Sequence, residues 1–499
     1  MRKRLSLLIS AGLLLGLTGV AQASDTGLVR TDSGPVRGTV LADHQQYQGI
    51  PYAAPPVSEL RWRSPQPVTP WTTPRDATQP GPACAQSAGA GSPSTNEDCL
   101  YLNVTTPSRH GRKPVMVWIH GGGNSYLSGG GFGTNRLAVQ GDVVVVTINY
   151  RLGFFGFFGH PDLPDSGAYG IEDQQAALKW VQRNAAAFGG DPRNVTVFGE
   201  SGGAFDVCAH VTSPLSRGLF QKAIAQSGGC STTWGANGVI HGKPASAPWI
   251  SKSAAQTDAV ALSAQLGCSD VACLRTLPAS AFTAIDRGAT PVVTGNRVLP
   301  VNPVDALRSG RFNRVPLIWG NTRDEGRLTS ATVPEPFDYN GLLVQAYGAE
   351  KAAKIAAEYP VAESARLAYG TVLTDSVWAC NQLADDRLLS RYTPTYGYEF
   401  ADRTAPLGYF KDLFSETFPG GAPHTAELAY LFDIPMFELN PAQQRLAATL
   451  IRDWTTFART GNPGWATHRA GNVQEYSLGH IGQVNGLTRH NCSFWNSIG

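Results

Sequence analysis

The chain is 499 residues long and 42% apolar, enough to build a large core and to exclude a disordered or collagen-like chain. Charged residues make up only 16%, and 40 lysines and arginines against 38 aspartates and glutamates leave a formal charge of +2. No stretch beyond Arg4 has the density of basic charge that counterion release from a polyanion requires, so nucleic acid is not expected as a partner and an uncharged small molecule fits better.

Residues 1–23 stand apart. Met1-Arg2-Lys3-Arg4 is basic, Leu5 to Val20 is almost wholly apolar, and Ala21-Gln22-Ala23 has the small-x-small form of a cleavage site. This predicts a secretory signal peptide, since the apolar run falls short of the ~20 residues that span a bilayer, and no stable membrane insertion is expected. Export, to the periplasm or beyond, puts all eight cysteines (Cys84, Cys99, Cys208, Cys230, Cys268, Cys273, Cys380 and Cys492) in an oxidising compartment, where pairing is the default. No pair has C-x-x-C spacing, so a metal site built on cysteine is not expected. Cys268 and Cys273 are close enough to close one small loop and Cys84 and Cys99 another, while the full connectivity stays open at this level.

From Lys113 to Ile224 the pattern is short apolar strand, glycine-rich loop, helix and strand, as in a parallel sheet covered by helices. Val115 to Ile119 and Val143 to Ile148 are near-continuous β-branched runs suited to burial on both faces, and Val195 to Phe198 is a third. A helix over Asp173 to Phe188 aligns Ala177, Val181, Ala185 and Phe188 on one stripe, which should face the sheet. Further strands are expected at Ala223 to Gln226, Val315 to Trp319 and Tyr396 to Phe400, with helices at Leu342 to Tyr359 and Pro441 to Thr460. Residues 228–250 and 401–425 are rich in Gly, Pro, Ser and Thr without periodicity and read as loops over a sheet. Because the strand and helix pattern resumes after each irregular stretch, residues 24–499 are expected to form one large α/β domain.

Gly199-Glu200-Ser201-Gly202-Gly203 directly follows the Val195 to Phe198 run and precedes an apolar helix-like stretch. A serine on such a sharp strand-to-helix turn is thrust out of the backbone, and the flanking glycines avoid Cβ clashes. His120-Gly121-Gly122-Gly123 ends an earlier strand, and glycines there let backbone N–H groups face a developing oxyanion. Gly122 and Gly123, with the N–H of Gly202, are the candidate donors. A serine nucleophile needs a base, and on such a sheet the order along the chain is serine, acid, histidine. Asp324 and Glu325 compete as the acid, and His424, His468, His480 and His490 as the base.

Several stretches together resemble the type-B carboxylesterase and lipase family, the cholinesterase-like branch of the α/β-hydrolases. Phe188-Gly189-Gly190-Asp191-Pro192, running through Val195 to Phe198 into Gly199 to Gly203, is similar to the family's nucleophile signature, and Glu97-Asp98-Cys99-Leu100-Tyr101-Leu102-Asn103-Val104 to its second signature. Gly49-Ile50-Pro51-Tyr52-Ala53 with Leu60-Arg61-Trp62, Asn149-Tyr150-Arg151-Leu152-Gly153 and Cys492-Ser493-Phe494-Trp495-Asn496 resemble other family stretches. The resemblance implies an α/β-hydrolase fold: a large, mostly parallel central sheet flanked by helices, with loop and helical insertions. It implies Glu325 as triad acid, from Asp324-Glu325-Gly326, and His424 as base, from His424-Thr425-Ala426-Glu427. It further implies disulfides Cys84–Cys99, Cys268–Cys273 and Cys380–Cys492, leaving Cys208 and Cys230 as a fourth pair.

The departures are Gly202 where the family usually has Ala, Asn124 where Phe follows the glycine triplet, and Thr425 where Gly is common. The Cys84 to Cys99 segment is short and lacks Trp, so no choline cage is expected. The implied activity is that of a secreted serine esterase acting on small-molecule esters through an acyl-enzyme, with no metal or organic cofactor. The alternatives are a non-catalytic binding or adhesion relative, and cleavage of amides, thioesters or bulky aromatic esters by the same machinery.

Overall fold

A computed structural model describes residues 26–89, 91–163, 165–285 and 288–499. The signal peptide expected over residues 1–23 lies outside the described residues. Eleven strands form one sheet: Thr39–Val40 (β1), Gln45–Pro51 (β2), Tyr101–Thr106 (β3), Lys113–Ile119 (β4), Val144–Ile148 (β5), Gly190–Glu200 (β6), Lys222–Gln226 (β7), Leu317–Thr322 (β8), Thr395–Phe400 (β9), Asn472–Tyr476 (β10) and Ile481–Asn485 (β11). Across the sheet they run β11-β10-β9-β8-β7-β6-β4-β5-β3-β2-β1. The strands from β10 to β5 are parallel. Both edges turn antiparallel, with β11 at one and β3, β2 and β1 at the other.

The central β-branched runs are buried on both faces because helices cover both. Alternation along β4 sends Val115, Val117 and Ile119 into one core and Met116 and Trp118 into the other. The first core is closed by the helix Tyr169–Asn184 (α1), whose Ala177 and Val181, with Ala185 and Phe188 on the following 3₁₀ turn, are buried as the stripe predicts. Gly202–Thr212 (α2) is buried along its whole length behind β6.

Two shorter helices, Tyr339–Tyr347 (α3) and Ala349–Glu358 (α4), replace the single helix expected over Leu342 to Tyr359. Gly348 adopts φ +78 between them, a left-handed conformation that ends one helix and starts the next. The second core is closed by Pro441–Thr460 (α5), through Leu450, Ile451, Trp454 and Phe457. Its bounds coincide with the expectation, since Asn440 and Gln443 form a capping box, Pro441 opens the first turn and Gly461 stops the last.

The strand expected at Val315 to Trp319 begins later, at Leu317, because Pro316 has no N–H to donate, and it continues to Thr322 by pairing with β9. Residues 228–250 are largely irregular but end in Trp249–Ser251, which pairs with Val292–Thr294 in a separate small sheet. Residues 401–425 contain a 3₁₀ turn at Gly408–Leu413. The loops that follow β4, β6, β8 and β9 all leave the carboxyl edge of the parallel strands, where α/β sheets gather their ligands.

Four disulfides are present: Cys84–Cys99, Cys208–Cys230, Cys268–Cys273 and Cys380–Cys492. Among them is the Cys208–Cys230 pair, which ties α2 to the segment after β7.

Candidate active site

Ser201 occupies the bend between β6 and α2 at φ 54 and ψ −119, a conformation few side-chain-bearing residues adopt. The turn holds because its N–H donates to the Gln226 carbonyl at 2.9 Å and because Gly203 has no Cβ, which would overlap the Ile119 carbonyl oxygen. The bend thus puts Oγ at the carboxyl end of the central strand.

Of the four candidate histidines, His424 lies beside this serine, its Nε2 2.9 Å from Ser201 Oγ. Its Nδ1 is 2.6 Å from Glu325 Oε2, and Glu325 Oε1 accepts the Thr322 N–H at 2.7 Å. Glu325 is only 1% exposed, so its carboxylate is held by the backbone at one oxygen and the imidazole at the other. Asp324 is engaged elsewhere. It takes a two-pronged contact from Arg403 at 3.0 and 2.9 Å, and the Ala422 N–H at 3.0 Å, fixing the loop that carries His424. His490 lies between Asp375 and Glu399, His468 near Asp386, and His480 near Glu475.

The glycine loop after β4 lies against the serine turn. Gly122 and Gly123 have φ of 89 and 59. A Cβ built on Gly202 would sit 2.7 Å from the Gly123 nitrogen, which measures how closely the two segments approach. Among the described residues no group accepts the N–H of Gly122, Gly123 or Gly202. Buried backbone donors are almost always paired, so donors left open beside a serine hydroxyl fit a ligand oxygen.

Sequence reasoning missed two further carboxyls. Glu200 Oε1 is 3.3 Å from His424 Nε2, and Glu427 accepts from Gln226 Nε2 at 3.1 Å deeper in the same cluster. Both stood in the quoted motifs, one residue before the serine and three after the histidine. Burial pushes the Glu200 carboxyl up against the pull of His424, and Glu427 and Glu325 add to the rise. Burial alone would lower the His424 ring, but Glu200 and Glu325 outweigh it and raise its affinity for a proton.

One cavity borders the histidine and another borders the glycine loop. One, of about 350 Å³, is lined by His424, Trp378, Leu328, Ile240 and Leu413 among others. The Trp378 ring lies 4.7 Å from that of His424. The other, about 20 Å³, lies between Gly123, Phe205, Trp234 and Ala289.

Residues 25–495 match the model of the carboxylesterase family. The chain belongs to that family. The para-nitrobenzyl esterase of Bacillus subtilis (strain 168) is 34% identical over 87% of this chain and 90% of its own. The fumonisin B1 esterase of Sphingopyxis macrogoltabida is also 34% identical, over 91% and 86%. A solved para-nitrobenzyl esterase structure superposes with a TM-score of 0.78 at 31% identity, covering 94% of this chain and all of the other. This carboxylesterase has the α/β-hydrolase fold and is a carboxylic ester hydrolase. Asn124, where the resemblance leads one to expect Phe, is buried, donates to Asp206 from its side-chain amide and also borders the small cavity beside Gly123.

Proposed function

We propose that this esterase cleaves its substrates through an acyl-enzyme formed on Ser201, with His424 as general base and acid and Glu325 as its orienting carboxylate. The reading rests on the unbroken chain from Ser201 Oγ through both imidazole nitrogens to Glu325, at 2.9 and 2.6 Å. His424 Nε2 takes the hydroxyl proton as Oγ attacks the ester carbonyl. The tetrahedral oxyanion accepts from the N–H groups of Gly122, Gly123 and Gly202, each of which is worth ~10² to 10³ in rate. Collapse expels the alcohol with the proton from His424, and water then repeats the sequence on the acyl-enzyme. Glu325 fixes the tautomer and stabilises the imidazolium.

The alcohol must leave on the imidazole side to receive its proton, toward the about 350 Å³ cavity against His424 and Trp378. The acyl group would then lie on the opposite side of Ser201, toward the glycine loop. Residues 24–499 would act as one catalytic domain, and the basic and apolar leader would direct export. The four disulfides are in keeping with an oxidising compartment, and among the described residues no helix is long and apolar enough to cross a membrane.

The test is turnover of p-nitrophenyl acetate together with labelling by an organophosphonate, which requires an activated serine. Ser201→Ala should fold, fail to label and lose turnover nearly to background. Glu325→Gln should cost far more activity than Asp324→Asn. Turnover that survives Ser201→Ala in a pure sample removes the reading, and the reverse order of the two acid variants assigns the wrong carboxylate.

A further inference from the structure

Behind the glycine loop, Asp206 is fully buried on α2, five residues after the nucleophile, and among the described residues no cation pairs with it. Burying a carboxylate without a cation costs several kcal/mol, and an apolar residue would pack this helix at no such cost. Two amides hold it: Gln174 Nε2 donates to one oxygen and Asn124 Nδ2 donates to the other at 3.1 Å. The donor and acceptor senses are fixed from behind. Burial drives His210 down to about 3, so its ring is neutral; Ser216 Oγ accepts from Gln175 Nε2 at 3.0 Å and lies 2.9 Å from His210 Nδ1, and with the proton on Nε2 the ring donates to Gln174 Oε1 at 2.8 Å, the sense in which the Gln174 amide faces Asp206.

Asn124 directly follows Gly123 and is fixed on every side. It holds φ 58, its carbonyl accepts the Gly153 N–H at 2.7 Å, and its Oδ1 lies 3.3 Å from the Tyr150 hydroxyl, which donates chiefly to the His120 carbonyl at 2.8 Å. On the other flank, the Gly123 carbonyl accepts the Thr290 N–H at 2.8 Å. The Asn124 to Asp206 bond therefore joins the two halves of the oxyanion hole, the glycine loop and the helix that starts at Ser201.

We propose that Asp206 is a positioning residue for the oxyanion hole, holding the Gly123 N–H at its working distance through Asn124. This rests on the reading of Gly122, Gly123 and Gly202 as oxyanion donors. The loop donors are used only when the carbonyl becomes tetrahedral, so loss of the link lowers kcat and leaves KM nearly unchanged.

Three variants test it with p-nitrophenyl acetate at pH 8. Asn124→Ala removes the link, Asn124→Asp sets two carboxylates against each other, and the double exchange Asn124→Asp with Asp206→Asn restores the bond with its polarity reversed. In the double variant the new amide on the helix donates to the new carboxylate on the loop and still accepts from Gln174, so every hydrogen bond is kept. Both single variants should lose roughly tenfold to 100-fold in kcat with KM moving less than about twofold, and the exchange should recover most of the loss.

Affinity for a trifluoromethyl ketone, whose adduct on Ser201 carries the oxyanion, should fall and recover in step with kcat. A purely packing role would lower the melting temperature without that parallel. Wild-type kcat in a folded Asn124→Ala, a loss confined to KM, or a double exchange as poor as Asn124→Asp overturns the proposal. If Asn124→Asp does not fold, the other two variants still decide. Phosphonate labelling of the wild type separates the failures: an unlabelled wild type removes the acyl-enzyme reading itself, whereas a labelled one with an indifferent Asn124→Ala removes only the tether.

Discussion

At Gly202 an added Cβ would lie 2.7 Å from the Gly123 nitrogen and 3.0 Å from the Asn124 nitrogen. These are backbone atoms on a loop fixed at both flanks, so a methyl group there pushes the N–H groups of Gly123 and Asn124 away from the serine. Gly202→Ala should therefore fold normally and lower kcat for p-nitrophenyl acetate by roughly tenfold or more, since displacements of about 1 Å at reacting groups cost up to ~10²-fold. Unchanged kcat in the folded variant would mean that the loop gives way freely. The three departures from the family pattern thus separate into kinds. Gly202 and Asn124 pack against each other, whereas Thr425 stands at φ 77 beside His424, a conformation that suits glycine better than a β-branched residue.

Among the elements, the one that closes over the histidine depends on a cross-link. Cys380 follows directly on the widened turn Thr374–Ala379 that carries Trp378, and its partner Cys492 is 112 residues away on the last helix, Cys492–Ile498. Closing so long a loop removes much entropy from the unfolded chain, by about 4 to 5 kcal/mol on the chain-entropy account. Replacing both cysteines by serine should lower the melting temperature far more than replacing Cys268 and Cys273, whose separation is only 5 residues. Equal losses would argue that native contacts rather than loop length set the effect.

The same scale shows what a sequence discloses. β4, β5 and β6 were legible because both-sided burial demands runs of Val and Ile, which few other settings tolerate. β1 and β11 were not, because edge strands such as Ile481–Asn485 are largely exposed and polar and pair only once the sheet exists, and the more buried β2, β3 and β10 also went unnamed. At the site, the serine turn was readable from its neighbours in the chain. Its partners lie 223 residues off for the histidine and, from there, 99 for the acid, so only likeness to a family could single them out. Asp206 carried no local signal, because what gives it meaning is an asparagine 82 residues earlier.

Over the whole molecule, buried charge joins distant parts. Arg61 binds Glu97 in a two-pronged pair, tying two of the family-like stretches, and Arg151 binds Asp173 at 2.7 Å through both prongs. His490 joins the wide turn to the sheet, with Nδ1 2.7 Å from Asp375 and Nε2 2.5 Å from Glu399 on β9. Burial alone would lower its pKa, but the two carboxylates raise it to about 9. Because the folded value exceeds the ordinary 6.5, the stabilisation is complete below about pH 6.5 and is lost as pH rises through about 9. Melting temperature should therefore decline across that window in the wild type. His490→Gln should melt lower at pH 6 and show a flatter profile between pH 6.5 and 9, and an unaltered slope would place the dependence on another group.

The widened turn over Thr374–Ala379 has an optical consequence as well, since it brings the Trp378 indole against the His424 imidazole. An imidazolium quenches a neighbouring indole more strongly than a neutral ring does. Of the eleven tryptophans, Trp378 therefore ties the emission of the protein to the ionisation of His424, and that state can be followed in solution by intrinsic fluorescence, without dye or chromogenic ester.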